Sequence, residues 1–238
     1  MSPQPIFVNK ILAIIPARGG SKRIPRKNIR TFMGKEIIFY PISTALKSGI
    51  FDDVIVSTDD EKIKQISEGF GASVPFLRSD KNSNEFATTF DVVKEVTNRL
   101  KEDYTYICCL YPTSVFVESK NLIDVKKDLI NKKEFSSIIS VVQYSHPPQR
   151  KLYLEGNNLK IKEIKNYNSR SQDLLTYYHD AAQFYFAELD SVLREEKLIT
   201  QEAKPVIFKD SEVQDIDCEE DWKIAELKYQ LKQNKTNA

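Results

Sequence analysis

The sequence predicts an α/β fold in which helices cover both faces of a mostly parallel sheet. Short apolar runs alternate along the chain with segments of helical periodicity, and this alternation is typical of βαβ units. The apolar runs are nearly continuous, as expected for strands whose two faces are both buried. Of the 238 residues, 41% are hydrophobic and 29% charged, which is the composition of a globular protein.

Five segments are predicted to form strands of this sheet, because each is a short run dominated by apolar residues. They are residues 10–15, 53–58, 104–111, 136–143 and 206–208. Pro16 follows the first segment and Pro112 the third. Each proline is expected to end its strand, because it has no N–H group to donate to the ladder.

Five further segments carry apolar residues at helical spacing and are predicted to be helices. They are residues 37–48, 59–70, 88–100, 118–130 and 219–231. Gly49 and Gly71 follow the first two helices, where glycine commonly ends a helix. Asp59 is predicted to cap the second helix at its N-terminus.

The alternation of strands and helices stops after about residue 142. Residues 152–154 and 159–161 flank the sequence Glu155-Gly156-Asn157-Asn158, which is a good signal for a hairpin turn. The sequence therefore predicts an α/β domain made of residues 1–142 and 187–238. Residues 143–186 are expected to form an insertion that contains the hairpin.

Composition and charge exclude several classes of protein. Lysine and arginine number 35 and the acidic residues 34, so the chain is neither a polycation nor an acidic tail protein. Three cysteines, two of them adjacent, argue against a disulfide framework. The N-terminal residues lack the pattern of a signal peptide, and no apolar run approaches the roughly 18 residues of a membrane span. We expect a cytoplasmic protein without a membrane partner.

A cluster of positive charge follows the first predicted strand. Residues 18–30, called the basic loop below, contain six lysine or arginine residues and no acidic residue. Because ligands of open α/β sheets bind at the carboxyl ends of the strands, this loop is placed to bind one. Gly19 and Gly20 would let main-chain amides approach an anion, and the basic side chains would bind its oxygens.

The spacing of the basic loop excludes two common phosphate motifs. It contains neither the G-x-x-x-x-G-K-[ST] pattern nor the G-x-G-x-x-G fingerprint. The cluster indicates a polyphosphate site, with a solvated basic loop as the alternative. Binding of nucleic acid through its phosphates is disfavoured, because the cluster has no interleaved aromatic residues and the net charge of the chain is only +1.

Asp215 and Asp217 form an acidic pair after the last predicted strand. In an extended segment, residues two apart lie on the same side, so both carboxylates can reach one Mg²⁺ ion. The alternative is an ordinary exposed acidic pair on the surface. Three further acidic residues, Glu219, Glu220 and Asp221, are expected to open the last helix, where negative charge is favourable.

Residues 14–28 resemble the nucleotide-binding loop of the cytidylyltransferases that make CMP-linked nonulosonic acids. Residues 54–60, 75–78 with 88–89, and 110–114 are similar to later segments of that family in order and spacing. The similarity extends from about residue 11 to residue 229. It implies a Rossmann-like fold of the nucleotide-diphospho-sugar transferase type, a homodimer formed through the insertion, and Mg²⁺ as cofactor.

The resemblance also implies roles for individual residues. Arg18, Lys22 and Asp217 would be catalytic, and Asp215 and Asp217 would bind the metal. The residues implied to contact the nucleotide are Ala17, Arg18, Gly19, Gly20, Ser21, Lys22, Asn28, Arg78, Thr88, Pro112 and Thr113. For four of these a structural role remains open. Arg18 and Lys22 could form salt bridges at the rim of the site, Asn28 could cap a turn and Thr88 could cap a helix.

Residues 168–173, 178–185 and 213–222 are similar to the pseudaminic acid branch of the family. The residues implied to bind the sugar are Arg170, His179 and Gln183, although a structural role is favoured over that of a base for His179. Two residues depart from the family pattern, because glycine is expected at Ala182 and tryptophan at Phe186. Both positions are expected to touch the sugar pocket.

The implied reaction is CTP plus a nine-carbon sugar acid giving the CMP-sugar and pyrophosphate. Legionaminic acid, N-acetylneuraminic acid and the eight-carbon Kdo are alternative acceptors. A non-catalytic nucleotide- or RNA-binding module is the alternative from another class. The sequence leaves the general base and the number of metal ions unassigned.

Overall fold

A six-stranded sheet, flanked by helices, is the largest element of the computed structural model, which describes residues 9–132 and 134–236. The N-terminal residues 1–8, for which no signal peptide is predicted, lie outside the described ranges. Within those ranges, no helix has the length and apolar content that crossing a membrane requires.

The elements follow the predicted alternation of strands and helices. The strands are β1 (Ile11–Pro16), β2 (Thr31–Phe32), β3 (Lys35–Glu36), β4 (Asp53–Ser57), β5 (Tyr106–Leu110), β6 (Ser137–Gln143), β7 (Leu152–Glu155), β8 (Asn158–Ile161), β9 (Tyr178–Glu188) and β10 (Ala203–Phe208). The helices are α1 (Phe39–Ser48), α2 (Glu61–Gly69), α3 (Asp80–Ser83), α4 (Thr89–Leu100), α5 (Ser119–Lys132), α6 (Ile164–Tyr167), α7 (Leu189–Glu195) and α8 (Glu219–Thr236).

The strand order of the large sheet is β10-β6-β9-β5-β1-β4. β1 pairs in parallel with β4 and β5, and β10 pairs in parallel with β6. β9 is antiparallel to both of its neighbours, β5 and β6. The prediction of a mostly parallel sheet is therefore confirmed. The carboxyl ends of β1, β4, β5, β6 and β10 meet at one edge, called the carboxyl edge below.

The insertion predicted for residues 143–186 runs into the large sheet. Its last residues belong to β9, where Phe184 and Phe186 are fully buried between the helices and the sheet. The hairpin is found where it is predicted, as β7 and β8, with Gly156 in the left-handed conformation at φ 60°. The apolar run of residues 184–187 is the signal that indicates a buried strand there. The division into two domains stays a prediction.

Helices cover both faces of the sheet, as the apolar strands predict. Alternate residues of β1 point to opposite sides, so that Ile11 and Ile15 join one core and Leu12 and Ile14 the other. α1 and α5 pack on the first face, and α4 and α7 on the second. A third cluster, centred on the buried Trp222 of α8, packs α8 against Ile24 and Phe32 at the end of the basic loop.

Two adjacent aspartates attach the basic loop to the start of α2. The N–H of Gly19 donates to Asp59 Oδ1 over 2.8 Å. Asp60, and not Asp59 as predicted, caps α2 by accepting from the N–H of Ile63 over 2.9 Å. Arg26 also pairs with Asp60 at 2.5 Å, and this hydrogen bond lowers the pKa of Asp60 despite its partial burial. The prediction missed by one residue because Asp59 is engaged by a distant part of the chain.

Gly19 is required by the close approach of the loop to α2. A Cβ atom at position 19 would lie 2.9 Å from Asp60 Cβ and 2.8 Å from Asp60 Oδ2. Asp60 cannot move away easily, because its carboxylate is held by both Arg26 and Ile63. A Cβ at Gly20 would meet no atom within 4 Å.

Gly19→Ala should therefore lower the melting temperature by roughly 2–12 °C, because overpacking costs about 1–3 kcal/mol. Gly20→Ala is the matched control and should leave the melting temperature unchanged or slightly raised, because alanine restricts the unfolded chain. Differential scanning calorimetry of the two variants tests this. Equal melting temperatures for both variants would contradict the steric role of Gly19.

Candidate functional site

A cavity of about 390 Å³ opens at the carboxyl edge of the sheet. The basic loop, the loop after β5 and the segment before α8 form its walls. Eight residues predicted to bind the nucleotide or the metal line this cavity: Arg18, Ser21, Lys22, Asn28, Pro112, Thr113, Asp215 and Asp217. The chain thus brings together residues from three distant parts of the sequence.

The basic loop is held in place largely by its main chain. The N–H of Ala17 donates to the carbonyl of Ser57 over 2.8 Å, which continues the pairing of β1 with β4. The buried Asn28 donates from Nδ2 to the carbonyl of Arg18 over 2.9 Å. Ala17 is also buried, so it contributes main chain rather than side chain, whereas Gly20 is exposed.

Each basic side chain of the loop has a partner within the protein. The pairs are Arg18 with the carbonyl of Asn84 (3.2 Å), Lys22 with Glu85 (2.7 Å), Arg23 with Asp217 (2.9 Å), Lys27 with the carbonyl of Ile216 (2.6 Å), Arg26 with Asp60 (2.5 Å) and Arg30 with Glu219 (2.6 Å). The basic loop is therefore neutralised from several directions, and most of these pairs are open to solvent.

The pair between Lys22 and Glu85 is well exposed, with 75% and 52% of the two side chains accessible. The hydrogen bond and charge of Lys22 lower the pKa of Glu85. An exposed pair of this kind contributes little to stability, because water screens both charges. Lys22 can thus exchange Glu85 for an anion that enters the cavity.

The two carboxylates of the acidic pair face the same cavity as the basic loop. Loss of contact with water raises the pKa of Asp215, and the negative charge of Asp217 raises it further. The positive charge of Lys27 opposes both effects. Asp217 accepts from Arg23 at 2.9 Å and lies 3.5 Å from Lys27. Mutual repulsion of two carboxylates is relieved by a cation placed between them.

The donor set fits Mg²⁺, which binds through one or two carboxylates together with phosphate oxygens and water. Asp215 and Asp217 provide two carboxylates, and a triphosphate held by the basic loop would supply further oxygens. Among the described residues, no group of three or more metal-binding side chains is present. The arrangement therefore suits a metal that arrives with a phosphate ligand.

Asp221 supports the acidic pair through the main chain. Its Oδ2 accepts from the N–H groups of Asp217, over 3.0 Å, and of Cys218, over 2.9 Å. Burial works to raise the pKa of Asp221, but these hydrogen bonds and the charge of Arg23 lower it overall. Asp221 lies in the first turn of α8, so it connects the acidic pair to that helix.

Arg78 and Thr88 are not among the residues that line this cavity. Arg78 is 7% exposed, and its guanidinium donates to the hydroxyl of Ser57 over 3.0 Å and to the carbonyl of the same residue. Burial lowers the pKa of Arg78, while the nearby charge of Asp59 opposes this. Thr88 caps α4 in a capping box with Asp91, so the helix-capping alternative describes its structural role.

The three residues predicted to bind the sugar lie in different surroundings. Arg170 is exposed and pairs with Asp173 over 2.8 Å. His179 is also exposed, and its ring packs edge-on against Tyr144 at 4.9 Å between centroids. Gln183 is fully buried, and its Nε2 donates to the carbonyl of Ala181 over 2.9 Å. Their roles stay predictions.

The two departures from the family pattern have different consequences. Ala182 has φ 51°, a left-handed conformation in which glycine is favoured, so the expected glycine matches the observed backbone. Phe186 is fully buried in the core of the first face, where it stacks on Phe51. The expectation that Phe186 touches the sugar pocket is therefore wrong, because its side chain points away from the carboxyl edge.

Several residues of the site were not assigned to it from the sequence. Arg23 and Lys27 line the cavity and contact the acidic pair, and Tyr111 lines the cavity from the end of β5. The sequence signal for Arg23 and Lys27 was their place in the basic loop, and for Tyr111 it was its place directly before Pro112. Sequence spacing alone could not show which basic residues face the acidic pair.

The comparisons with known proteins agree with this geometry. A family model described as cytidylyltransferase matches residues 12–236. Two pseudaminic acid cytidylyltransferases from Campylobacter jejuni are 37% and 38% identical to the chain over 226 residues, which covers 93% of this chain and 97% of each relative. A CMP-N,N'-diacetyllegionaminic acid synthase from Legionella pneumophila is 30% identical over 236 residues, covering 94% and 98%.

A solved structure has a similar fold. The CMP:2-keto-3-deoxy-manno-octonic acid synthetase in complex with CTP matches 94% of this chain and 99% of its own, with a TM-score of 0.67. At 16% identity this likeness shows the fold alone. The family match over nearly the whole described chain, together with relatives of the same length, shows that this chain belongs to the cytidylyltransferase family.

Proposed function

We propose that the protein transfers CMP from CTP to the anomeric hydroxyl of a nonulosonic acid, with release of pyrophosphate. The observation that carries this proposal is the cavity of about 390 Å³ at the carboxyl edge, in which the basic loop faces Asp215 and Asp217. Cations on one wall and carboxylates on the other suit a triphosphate bound together with a divalent metal.

Arg18 and Lys22 are the proposed triphosphate contacts that stabilise the pyrophosphate leaving group. Both side chains line the cavity, and both have exposed partners that a phosphate oxygen can replace. Ser21, Asn28, Pro112 and Thr113 line the same cavity and are proposed to position the nucleotide. Catalysis would arise mainly from positioning and charge neutralisation.

The main chain of Gly20 is proposed to complete the phosphate contacts. Ala17 and Gly19, whose N–H groups donate to Ser57 and Asp59, are proposed to position this segment beside the nucleotide. Arg78, at the carboxyl end of β4, and Thr88, at the start of α4, are proposed to act on the base side of the nucleotide. Arg78 would do so by fixing the end of β4 through Ser57, which its guanidinium contacts.

Mg²⁺ is the proposed cofactor, held by Asp215 and Asp217. When bound, it would supply positive charge to the phosphates and lower the cost of charge on their oxygens. Arg23 and Lys27, which contact Asp217 in the described structure, would then be available to phosphate oxygens. Asp221 would keep the main chain of Asp217 in place by accepting from its N–H group.

Pseudaminic acid is the proposed acceptor, because the relatives named for that activity are 37% and 38% identical over almost their full length. Arg170, His179 and Gln183 remain the proposed sugar contacts. We also propose a cytoplasmic location, because Cys108, Cys109 and Cys218 are free thiols, as in a reducing compartment. A homodimer through residues 144–177 is proposed from the exposed aromatic residues there, among them Tyr153 and Tyr177.

Purified protein with CTP, Mg²⁺ and pseudaminic acid should release pyrophosphate, measured by a coupled phosphate assay. A panel that contains legionaminic acid, N-acetylneuraminic acid and Kdo would rank the acceptors, and pseudaminic acid should give the highest kcat/KM. Absence of pyrophosphate with every sugar acid would refute the proposed activity. Tight RNA binding with a steep salt dependence would instead favour the nucleic-acid alternative.

Asp217→Ala should lower kcat by roughly 10²-fold or more, because it removes a carboxylate that would hold Mg²⁺, whose charge would stabilise the transition state. It should also abolish the Mg²⁺ dependence of CTP binding, measured by calorimetry with and without the metal. Glu220→Ala is the matched control, because Glu220 is an exposed acid in the first turn of α8. A near-normal rate and unchanged Mg²⁺ dependence in Asp217→Ala would remove the metal assignment.

The protein should elute as a dimer of about 55 kDa, twice its 27.5 kDa, in size-exclusion chromatography with light scattering. Tyr153→Glu combined with Leu154→Glu should shift it towards the monomer, because both side chains are exposed on the hairpin. The control Phe86→Glu changes an exposed aromatic residue outside this segment. A wild-type monomer would refute the proposed dimer.

A further inference from the structure

A chain of hydrogen bonds connects the start of α4 with the start of β9 at the carboxyl edge. Thr89 Oγ1 lies 3.4 Å from the hydroxyl of Tyr111, which lies 3.3 Å from the hydroxyl of Tyr185. The hydroxyl of Tyr185 then donates to Asp180 Oδ2. The two tyrosine rings lie 5.6 Å apart between centroids.

The chemistry of these groups fixes the direction of the chain. The hydroxyl of Tyr185 donates to the carboxylate of Asp180 and, over 3.3 Å, to the oxygen of Tyr111, so its single hydrogen lies between two acceptors. Tyr111 therefore accepts from Tyr185. The hydrogen of Tyr111 is left to be donated to an oxygen outside this pair. Burial raises the pKa of both tyrosines, so both hydroxyls keep their hydrogen at neutral pH.

Asp180 is itself held by an irregular segment of β9. Its Oδ1 accepts from the N–H of Ala182 over 2.7 Å, and Ala182 has the left-handed φ of 51° noted above. The register between β6 and β9 shifts at this point, and the hydroxyl of Ser140 accepts from the N–H groups of Gln183 and Phe184. A β-bulge of this kind re-aims side chains at a strand end.

Tyr111 lies at the boundary of two cavities. It lines the cavity that contains Lys22 and Asp217, and it also lines a second cavity of about 400 Å³. Phe90 and Leu198 give the second cavity an apolar wall, and Asp180 and Tyr185 line it as well. A substrate joined to a nucleotide in the first cavity would meet the hydroxyl of Tyr111 where the two cavities adjoin.

We propose that Asp180 is a positioning residue that acts through Tyr185 to orient the Tyr111 hydroxyl as a hydrogen-bond donor to an oxygen atom of the acceptor sugar. This inference rests on the proposed function, because it assigns a specificity element to the same site. The apolar wall of the second cavity suits a substituent that carries a methyl group beside such an oxygen.

Steady-state kinetics of Tyr185→Phe and Asp180→Asn test the proposal. Each should raise the KM for the sugar acid by about three- to tenfold, which is the effect of one neutral hydrogen bond, and leave the KM for CTP within about twofold. Tyr185→Phe keeps the charge of Asp180, so the same result in both variants assigns the effect to the hydroxyl chain. Should Asp180→Asn fail to fold, Tyr185→Phe decides alone.

A double-mutant cycle separates positioning from general destabilisation. Tyr111→Phe should raise the KM for the sugar acid, and adding Tyr185→Phe to it should cause no further rise, because Tyr185 acts through Tyr111. Tyr104→Phe is the matched control, because Tyr104 donates to Asp53 over 2.6 Å at the opposite edge of the sheet. It should lower the melting temperature and leave both KM values unchanged.

Additive effects in the cycle, equal rises in the two KM values, or unchanged KM values would each overturn the positioning role. These outcomes are distinct from failure of the proposed function. If the wild-type protein releases pyrophosphate and the variants behave in one of these ways, only the role of Asp180 is refuted. If the wild-type protein releases none with any sugar acid, the proposed function is refuted first.

Discussion

The site depends on the neutralisation of six positive charges within the thirteen residues of the basic loop. So many cations repel one another, and the fold brings acids from the N-terminus of α2, from the loop before α4 and from the start of α8 to pair with five of the six. The sixth, Arg18, donates to a main-chain carbonyl. In this way one electrostatic requirement connects distant parts of the chain. The same arrangement prepares the loop for a polyanion, because a phosphate group offers the negative charge that the acids supply before it binds.

β9 is the second constraint, because in the described large sheet it alone runs against the direction of its neighbours. A parallel strand at this position would bring its carboxyl end to the site, whereas β9 brings its first residues. Asp180 therefore reaches the same edge as Tyr111, which follows the neighbouring strand β5. The bulge at Ala182 changes the direction in which β9 reaches this edge. The hydroxyls of two buried serines, Ser114 and Ser140, donate to main-chain carbonyls of the bulged segment.

Most of the fold follows from local patterns, since alternating apolar runs and helical periodicity are properties of neighbouring residues. What could not be predicted depends on contacts between distant residues. Asp59 has the sequence position of a cap, but Gly19 engages it from forty residues away, and Asp60 takes the role. The positive charge of Arg78 suggests a direct contact with the nucleotide, but its guanidinium is buried and donates to Ser57. The motifs predicted which residues line the cavity, but not which cations hold Asp217.

The position of β9 has a consequence for how the chain folds. β4, β1 and β5 form one part of the large sheet and β6 and β10 another, and in the described sheet β9 joins the two parts. β5 and β6 are synthesised long before β9, yet they gain their shared neighbour only when residues 178–188 are available. The long loop that contains the hairpin must close first, at an entropic cost that delays completion of the sheet. Until then, the edges of β5 and β6 remain unpaired, which makes this stage the one most exposed to aggregation.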